Sequence, residues 1–332
     1  MANITVLGAG AWGTAFGQVL ADAGNDVMMW AIEPDIVKAI QTEHRNPVRL
    51  PSVEKLPDSM TATGDRAEAV AHADVVVVAI AAQFARQALE EFNGLIPDEA
   101  VVVSLMKGIE QKTGKRMDQV VTEALDLPAD RFVAISGPNL SKQIAAREPA
   151  AAVVGCTDID VARRVAKLCT TDYFKTFITA DVIGLELCGS LKNVVALAVG
   201  MAHGAGFGEN TAAMIETRGL TEIKDVGTGA GALPETFYGL AGVGDLIATC
   251  GSPLSRNYTF GYNLGKGMSV EEATKASNGV AEGVATASAV VDLGERYHVP
   301  TPLAKAVTRL LDDGISFKQM IAEMFPADVT VE

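Results

Sequence analysis

The sequence predicts an α/β domain built on a parallel sheet covered by helices, followed by an all-helical domain. Three observations carry that expectation. Short β-rich runs, apolar on both faces, alternate with helical stretches through the first half. A glycine-rich turn follows the first run directly and opens a helix. After Lys175 the alternation stops, and a long, largely apolar helical stretch begins. The expected domains are 1–180 and 181–332.

Strands are expected at 4–7, 26–30, 74–80, 100–104, 131–136 and 151–154. Helices are expected between them at 14–23, 34–43, 84–92 and 158–168. Residues 45–57 hold Pro47, Pro51 and Pro57 and read as a loop. The second half starts with one long helix at 181–201. It continues as helical segments at 209–219, 255–265, 270–276, 284–297, 302–311 and 316–324, each broken by Gly or Pro.

Composition narrows the function. The 332 residues are 48% hydrophobic and 20% charged, an ordinary globular balance, which argues against disorder. A formal charge of −14 argues against attraction to nucleic acid or to an anionic membrane, so an anionic ligand needs local cations. Apolar runs such as 75–82 fall far short of a spanning helix, and no basic leader precedes the first strand, so neither a membrane segment nor a signal peptide is expected. Cys156, Cys169, Cys188 and Cys250 are widely spaced, with no CxxC pair, which fits buried thiols in a reducing compartment and no metal site.

Gly8-Ala9-Gly10-Ala11-Trp12-Gly13 stands where a dinucleotide-binding turn belongs, between the first strand and its helix. Gly8 permits the turn, Gly10 leaves room for a pyrophosphate, and Gly13 lets the helix approach the strand. Glu33, beyond the second strand, fits either a ribose acceptor or a helix N-terminal acid. Arg45 and Arg49 in the next loop fit either a 2′-phosphate or solvent. Lys107 lies past a strand's C-terminal end, where open sheets bind ligands, although an exposed loop lysine fits too. Gly137-Pro138-Asn139-Leu140-Ser141-Lys142 is similarly placed and offers backbone and amide groups.

Lys192 is the single cation in GLELCGSLKNVVALAVG. Burial lowers a lysine's pKa and suits it to proton transfer near neutrality, whereas Glu186, Lys192 and Asn193 also fit a structural network at a domain seam. In YGLAGVGDLIATCGSPLSRNYTFG, flexible backbone is combined with Asp245, Thr249, Ser255, Arg256 and Asn257. Ser255-Arg256-Asn257 suits a phosphate: a helix-capping Ser, free N–H groups and a forked guanidinium.

Together these segments resemble the NAD(P)-dependent glycerol-3-phosphate dehydrogenases of bacterial type, made of a Rossmann domain and a helical domain. GAGAWGTA, LMKGIEQ, SGPNL, GLELCGSLKNVVALAVG, GFGENTAAMIETRGL and GLAGVGDLIATCGSPLSRN occur in the family's order along nearly the whole chain. The chain departs from the usual pattern at AIAAQFAR, LMKG, GPNLSKQ, VRLPS and Ile32. The resemblance implies reversible reduction of dihydroxyacetone phosphate to sn-glycerol 3-phosphate for glycerophospholipid synthesis, in the cytoplasm, with NAD or NADP as cofactor. It implies Lys192 as the proton-transfer residue. Substrate contacts are expected from Lys107, Gly137, Asn139, Asn193, Asp245, Thr249, Ser255, Arg256 and Asn257. Cofactor contacts are expected from Gly8, Gly10, Ala11, Trp12, Gly13, Glu33, Lys107, Ser141, Arg256, Val280 and Glu282. A homodimer is compatible with this picture; another two-domain hydroxyacid or 6-phosphogluconate-type dehydrogenase and a noncatalytic NAD(P)-responsive protein are the alternatives.

Overall fold

The computed structural model describes residues 1–277 and 281–325. The chain divides into two compact units, one of Met1–Glu110 with Lys115–Glu186 and one of Gln111–Gly114 with Leu187–Glu332.

In the first unit, the strands are β1 (Asn3–Leu7), β2 (Asp26–Trp30), β3 (Met60–Thr63), β4 (Val75–Val78) and β5 (Val101–Ser104). A small hairpin follows, β6 (Ile109–Glu110) with β7 (Lys115–Arg116), and then β8 (Phe132–Ser136), β9 (Ala150–Gly155) and β10 (Phe174–Thr179). The main sheet has the order β10-β9-β8-β5-β4-β1-β2-β3. From β3 through β1 to β8 this is the doubly wound order of a Rossmann sheet, with its switch point between β1 and β4. The central strands β1, β4, β5 and β8 are buried almost throughout, as strands covered on both faces must be. The covering helices are α1 (Ala11–Asp22), α2 (Pro34–Glu43), α3 (Arg66–Val70), α4 (Ala85–Glu90), α5 (Met117–Leu125), α6 (Ser141–Ala145) and α7 (Ile159–Cys169). Phe16, Met29, Val77, Val103, Val133 and Phe174 belong to the core they form with the sheet.

The sheet departs from the sequence expectation at its far edge. β9 pairs antiparallel with β8, and β10 runs parallel to β9, so the last two strands are reversed. β10 was not expected, since its exposed Lys175 and Phe177 alternate with more buried neighbours, a half-exposed edge pattern rather than a continuous apolar run. β3 was missed too, because four residues, MTAT, give too short a signal.

The border between the units falls within α8 (Val182–Gly204). This helix is long and apolar enough to cross a membrane, with a mean hydropathy of 1.7, yet 94% of that window is buried inside the protein. It is a core helix. The second unit continues with α9 (Glu209–Gly229), α10 (Asp245–Cys250), α11 (Arg256–Gly265), α12 (Val270–Ala276), α13 (Glu282–Tyr297), α14 (Pro302–Asp313) and α15 (Phe317–Met324). Gly219 was expected to end α9, but the helix continues ten residues beyond it to Gly229. A side chain at Gly219 would strike Val195 of α8 at 2.6 Å, so this glycine serves helix packing rather than termination.

Candidate active site

In the first unit, the expected cofactor residues gather at the C-terminal ends of the parallel strands. Gly8 follows β1 with φ +112, and a side chain there would stand 2.7 Å from the Ala79 carbonyl oxygen, so only glycine makes this turn without strain. Gly13 admits no side chain because it would overlap the Gly8 carbonyl, which brings α1 down onto the turn. Gly10 faces open space, with nothing within 4 Å of where a side chain would begin. It also caps α1 without a side-chain hydrogen bond, so the first N–H groups, on Ala11, Trp12 and Gly13, lack an intrahelical acceptor. An open glycine before a helix start with donor N–H groups fits a dinucleotide pyrophosphate.

Sequence reasoning missed Asn46. It is fully buried, and its Nδ2 donates to the Ala9 carbonyl and to Thr14 Oγ1, both at 2.9 Å, tying the proline-rich loop to the glycine turn. Its only signal was one amide just before Pro47 in a segment read as loop. Glu33 precedes α2 without capping it through its side chain, and pairs with Arg49 at 3.1 Å. Ile32 between Ala31 and Glu33 is exposed. Lys107 lies beyond β5, its Nζ donating to the Gly137 carbonyl at 3.0 Å. Both side-chain polar atoms of Asn139 are shielded from solvent and have no hydrogen-bond partner among the described residues, and Ser141 begins α6. Glu186 is held by the Asp118 N–H at 2.9 Å beside Arg116, and burial keeps its carboxyl well above the usual range.

In the second unit, Lys192 is 5% exposed on α8 and Asp245 is 2% exposed at the start of α10. Lys192 Nζ donates to Asp245 Oδ1 and to Thr249 Oγ1, each at 2.5 Å, and Thr249 Oγ1 lies 3.3 Å from the same carboxylate oxygen. Asp245 and Thr249 are one helical turn apart and so share a face toward Lys192. The preceding Leu240–Gly244 is a π-helical turn, a local form often found at functional sites. Gly242 makes it feasible, since any side chain would overlap the Phe237 carbonyl.

Ser255 caps α11, its Oγ accepting from the Tyr258 N–H at 3.3 Å. Arg256 is exposed and forms no hydrogen bond or ion pair among the described residues. Asn257 is buried, and its Oδ1 accepts from the Gly283 N–H at 2.9 Å, which leaves Nδ2 as the side chain's donor. Asn193 is buried beside Lys192, and Glu282 opens α13. Val280, also expected at the cofactor, lies outside the described residues.

Comparison with known proteins gives this geometry its context. The family descriptions NAD-dependent glycerol-3-phosphate dehydrogenase N-terminus and C-terminus match residues 3–162 and 181–322. The chain belongs to that family. A glycerol-3-phosphate dehydrogenase [NAD(P)+] of Bifidobacterium longum subsp. infantis is 74% identical over 330 residues, 99% of each chain. The corresponding protein of Corynebacterium kroppenstedtii is 47% identical over the full length of both. Among solved structures, glycerol-3-phosphate dehydrogenase from Coxiella burnetii superposes with a TM-score of 0.91 at 31% identity, covering 97% of this chain and 98% of its own. A D-mandelate dehydrogenase reaches 0.62 at 17% identity, a likeness of fold alone. The chain is accordingly an NAD(P)-dependent oxidoreductase of the glycerol-3-phosphate dehydrogenase type.

Proposed function

We propose that the protein reduces dihydroxyacetone phosphate reversibly to sn-glycerol 3-phosphate in the cytoplasm, supplying glycerophospholipid synthesis, with a cofactor-binding domain at 1–180 and a substrate domain at 181–332. The buried Lys192 hydrogen-bonded to Asp245 and Thr249 carries this reading. NAD(P)H supplies the hydride when bound, and Gly8, Gly10, Ala11, Trp12 and Gly13 hold its pyrophosphate. Glu33, Ser141, Arg256, Val280 and Glu282 are assigned to the cofactor on the family's pattern, Lys107 to cofactor and substrate, and Gly137 and Asn139 to substrate.

Lys192 donates its proton to the developing alkoxide oxygen during reduction and takes the hydroxyl proton back during oxidation. Asp245 and Thr249 fix the ammonium in one direction, and Asn193 supports the reacting end. Arg256 and the Nδ2 of Asn257 grip the phosphate, with Ser255 holding the helix start. Because the phosphate lies away from the reacting carbonyl, its binding energy fixes the approach as well as lowering KM. Two copies of the chain form the working particle.

The decisive assay follows NADH or NADPH oxidation with dihydroxyacetone phosphate and with unphosphorylated dihydroxyacetone. Strong activity is expected with the phosphate ester and hardly any without the phosphate. NADH is expected to serve, since Ile32 supplies no cation and Glu33 suits a ribose. Comparable kcat/KM for the two ketones rejects the phosphate assignment, and strict NADPH dependence rejects the role given to Glu33.

A further inference from the structure

α8 and α11 touch backbone to backbone. Gly200 and Gly204 are one turn apart on α8, and Gly261 and Gly265 are one turn apart on α11. A methyl group on Gly200 would overlap the Tyr258 carbonyl oxygen, and one on Gly204 the Tyr262 carbonyl oxygen. Reciprocally, one on Gly261 would overlap the Leu197 carbonyl, and one on Gly265 the Met201 carbonyl. The register climbs in the same sense on both helices, so they run parallel. Parallel helix dipoles repel weakly, so electrostatics does not favour this pairing; close packing does.

The first turn of α11 carries Arg256 and Asn257. Asn257 accepts from the Gly283 N–H, and a methyl group on Gly283 would stand 2.6 Å from the Asn193 carbonyl oxygen on α8. Asn257 is therefore tied through α13 to the residue beside Lys192. The glycine contact sets the spacing of the same two helices along the rest of their shared length. A methyl group in that contact must push α11 outward or slide it, and a displacement near 1 Å costs a reacting geometry on the order of a hundredfold.

We propose that Gly200, Gly204, Gly261 and Gly265 are positioning residues that hold the phosphate-gripping end of α11 at a set height against Lys192, and so determine the preference for a phosphorylated three-carbon ketone. This rests on Arg256 and Asn257 being the phosphate anchor. The test uses the full-length enzyme at saturating NAD(P)H, well below its melting temperature, and compares kcat/KM for dihydroxyacetone phosphate and dihydroxyacetone. In Gly261→Ala and Gly204→Ala, kcat/KM for the phosphate ester is expected to fall about tenfold or more, and for dihydroxyacetone by no more than about threefold. Gly219→Ala crowds α9 against Val195 of the same α8 but does not touch α11, so it controls for packing damage: the ratio of the two constants is expected to stay at its original value whatever happens to stability. Equal losses on both ketones in Gly261→Ala and Gly204→Ala overturn the proposal. Gly204 is the last residue of α8, so Gly204→Ala leaves the interior of both helices unaltered and decides the matter if Gly261→Ala does not fold. Arg256→Ala separates the two ideas: an unchanged ratio there removes the anchor itself. A collapsed ratio in Arg256→Ala with unchanged ratios in the glycine variants keeps the anchor and removes the positioning role.

Discussion

Lys192 and Arg256 are both cations, yet their surroundings give them opposite tasks. Lys192 is enclosed and bonded to a carboxylate and a hydroxyl, whereas Arg256 is exposed at a helix start with its donors open. Lys192→Ala is expected to lower kcat by about 10² to 10⁴ even at saturating dihydroxyacetone phosphate, with cofactor binding largely retained. Arg256→Ala is expected to raise KM at least about tenfold, because a charge-assisted contact contributes roughly 1.5 to 3 kcal/mol. Steady-state kinetics with NAD(P)H titrations check both. Near-normal kcat in the first variant removes Lys192 as proton donor, and an unchanged KM in the second removes the anchor.

Helix α14 starts at Pro302 without help from its own cap, since Thr301 makes no side-chain capping bond. Glu222 of α9 substitutes for it, accepting from the Leu303 N–H at 2.8 Å and the Ala304 N–H at 3.0 Å. Burial pushes this carboxyl up to about 7 from an ordinary 4.5, against the lowering effect of the two N–H donors and Lys305. The folded chain thus holds the proton more tightly than the unfolded chain. Its contribution to stability is complete below about pH 4.5 and is lost as the pH rises through about 7, a loss on the order of 3 kcal/mol. Urea unfolding between pH 5 and 8 is expected to reveal this fall in the wild type and a shallower one in Glu222→Gln. An equal fall in the variant would mean that the N–H donors offset burial and that Glu222 is already ionised in the folded chain across this range.

A net charge of −14 repels the anionic substrate at long range, while a few local cations attract it at short range. Salt separates the two, because the Debye length falls from about 20 Å to about 7 Å between roughly 20 and 200 mM. Removing Arg256 leaves the repulsive field in control. The kcat/KM of Arg256→Ala for dihydroxyacetone phosphate is therefore expected to rise with added KCl, whereas that of the wild type is expected to hold steady or fall. Parallel salt profiles would show that the field of the whole molecule does not govern substrate capture.

The features legible in the sequence alone are those encoded within a few residues. The glycine turn after β1, the Ser255 cap of α11 and the long apolar helix bearing Lys192 are local patterns of conformation and periodicity, and each stands where it was expected. The GxxxG spacings at Gly200 and Gly261 were equally visible, but nothing in the sequence says which backbone each faces. That partner was decided by folding, as were the Asp245 and Thr249 bonds to Lys192, which join residues 53 and 57 positions apart. Folding likewise decided that Asn46 ties a loop to the glycine turn, that Gly219 seats Val195 instead of ending a helix, and that β9 and β10 reverse direction. The physical division follows from the range of the forces. Dihedral preference, capping and amphipathic period act along the chain and are written in neighbouring residues. Close packing and buried hydrogen bonds act across space, and their partners exist only once distant segments have been brought together.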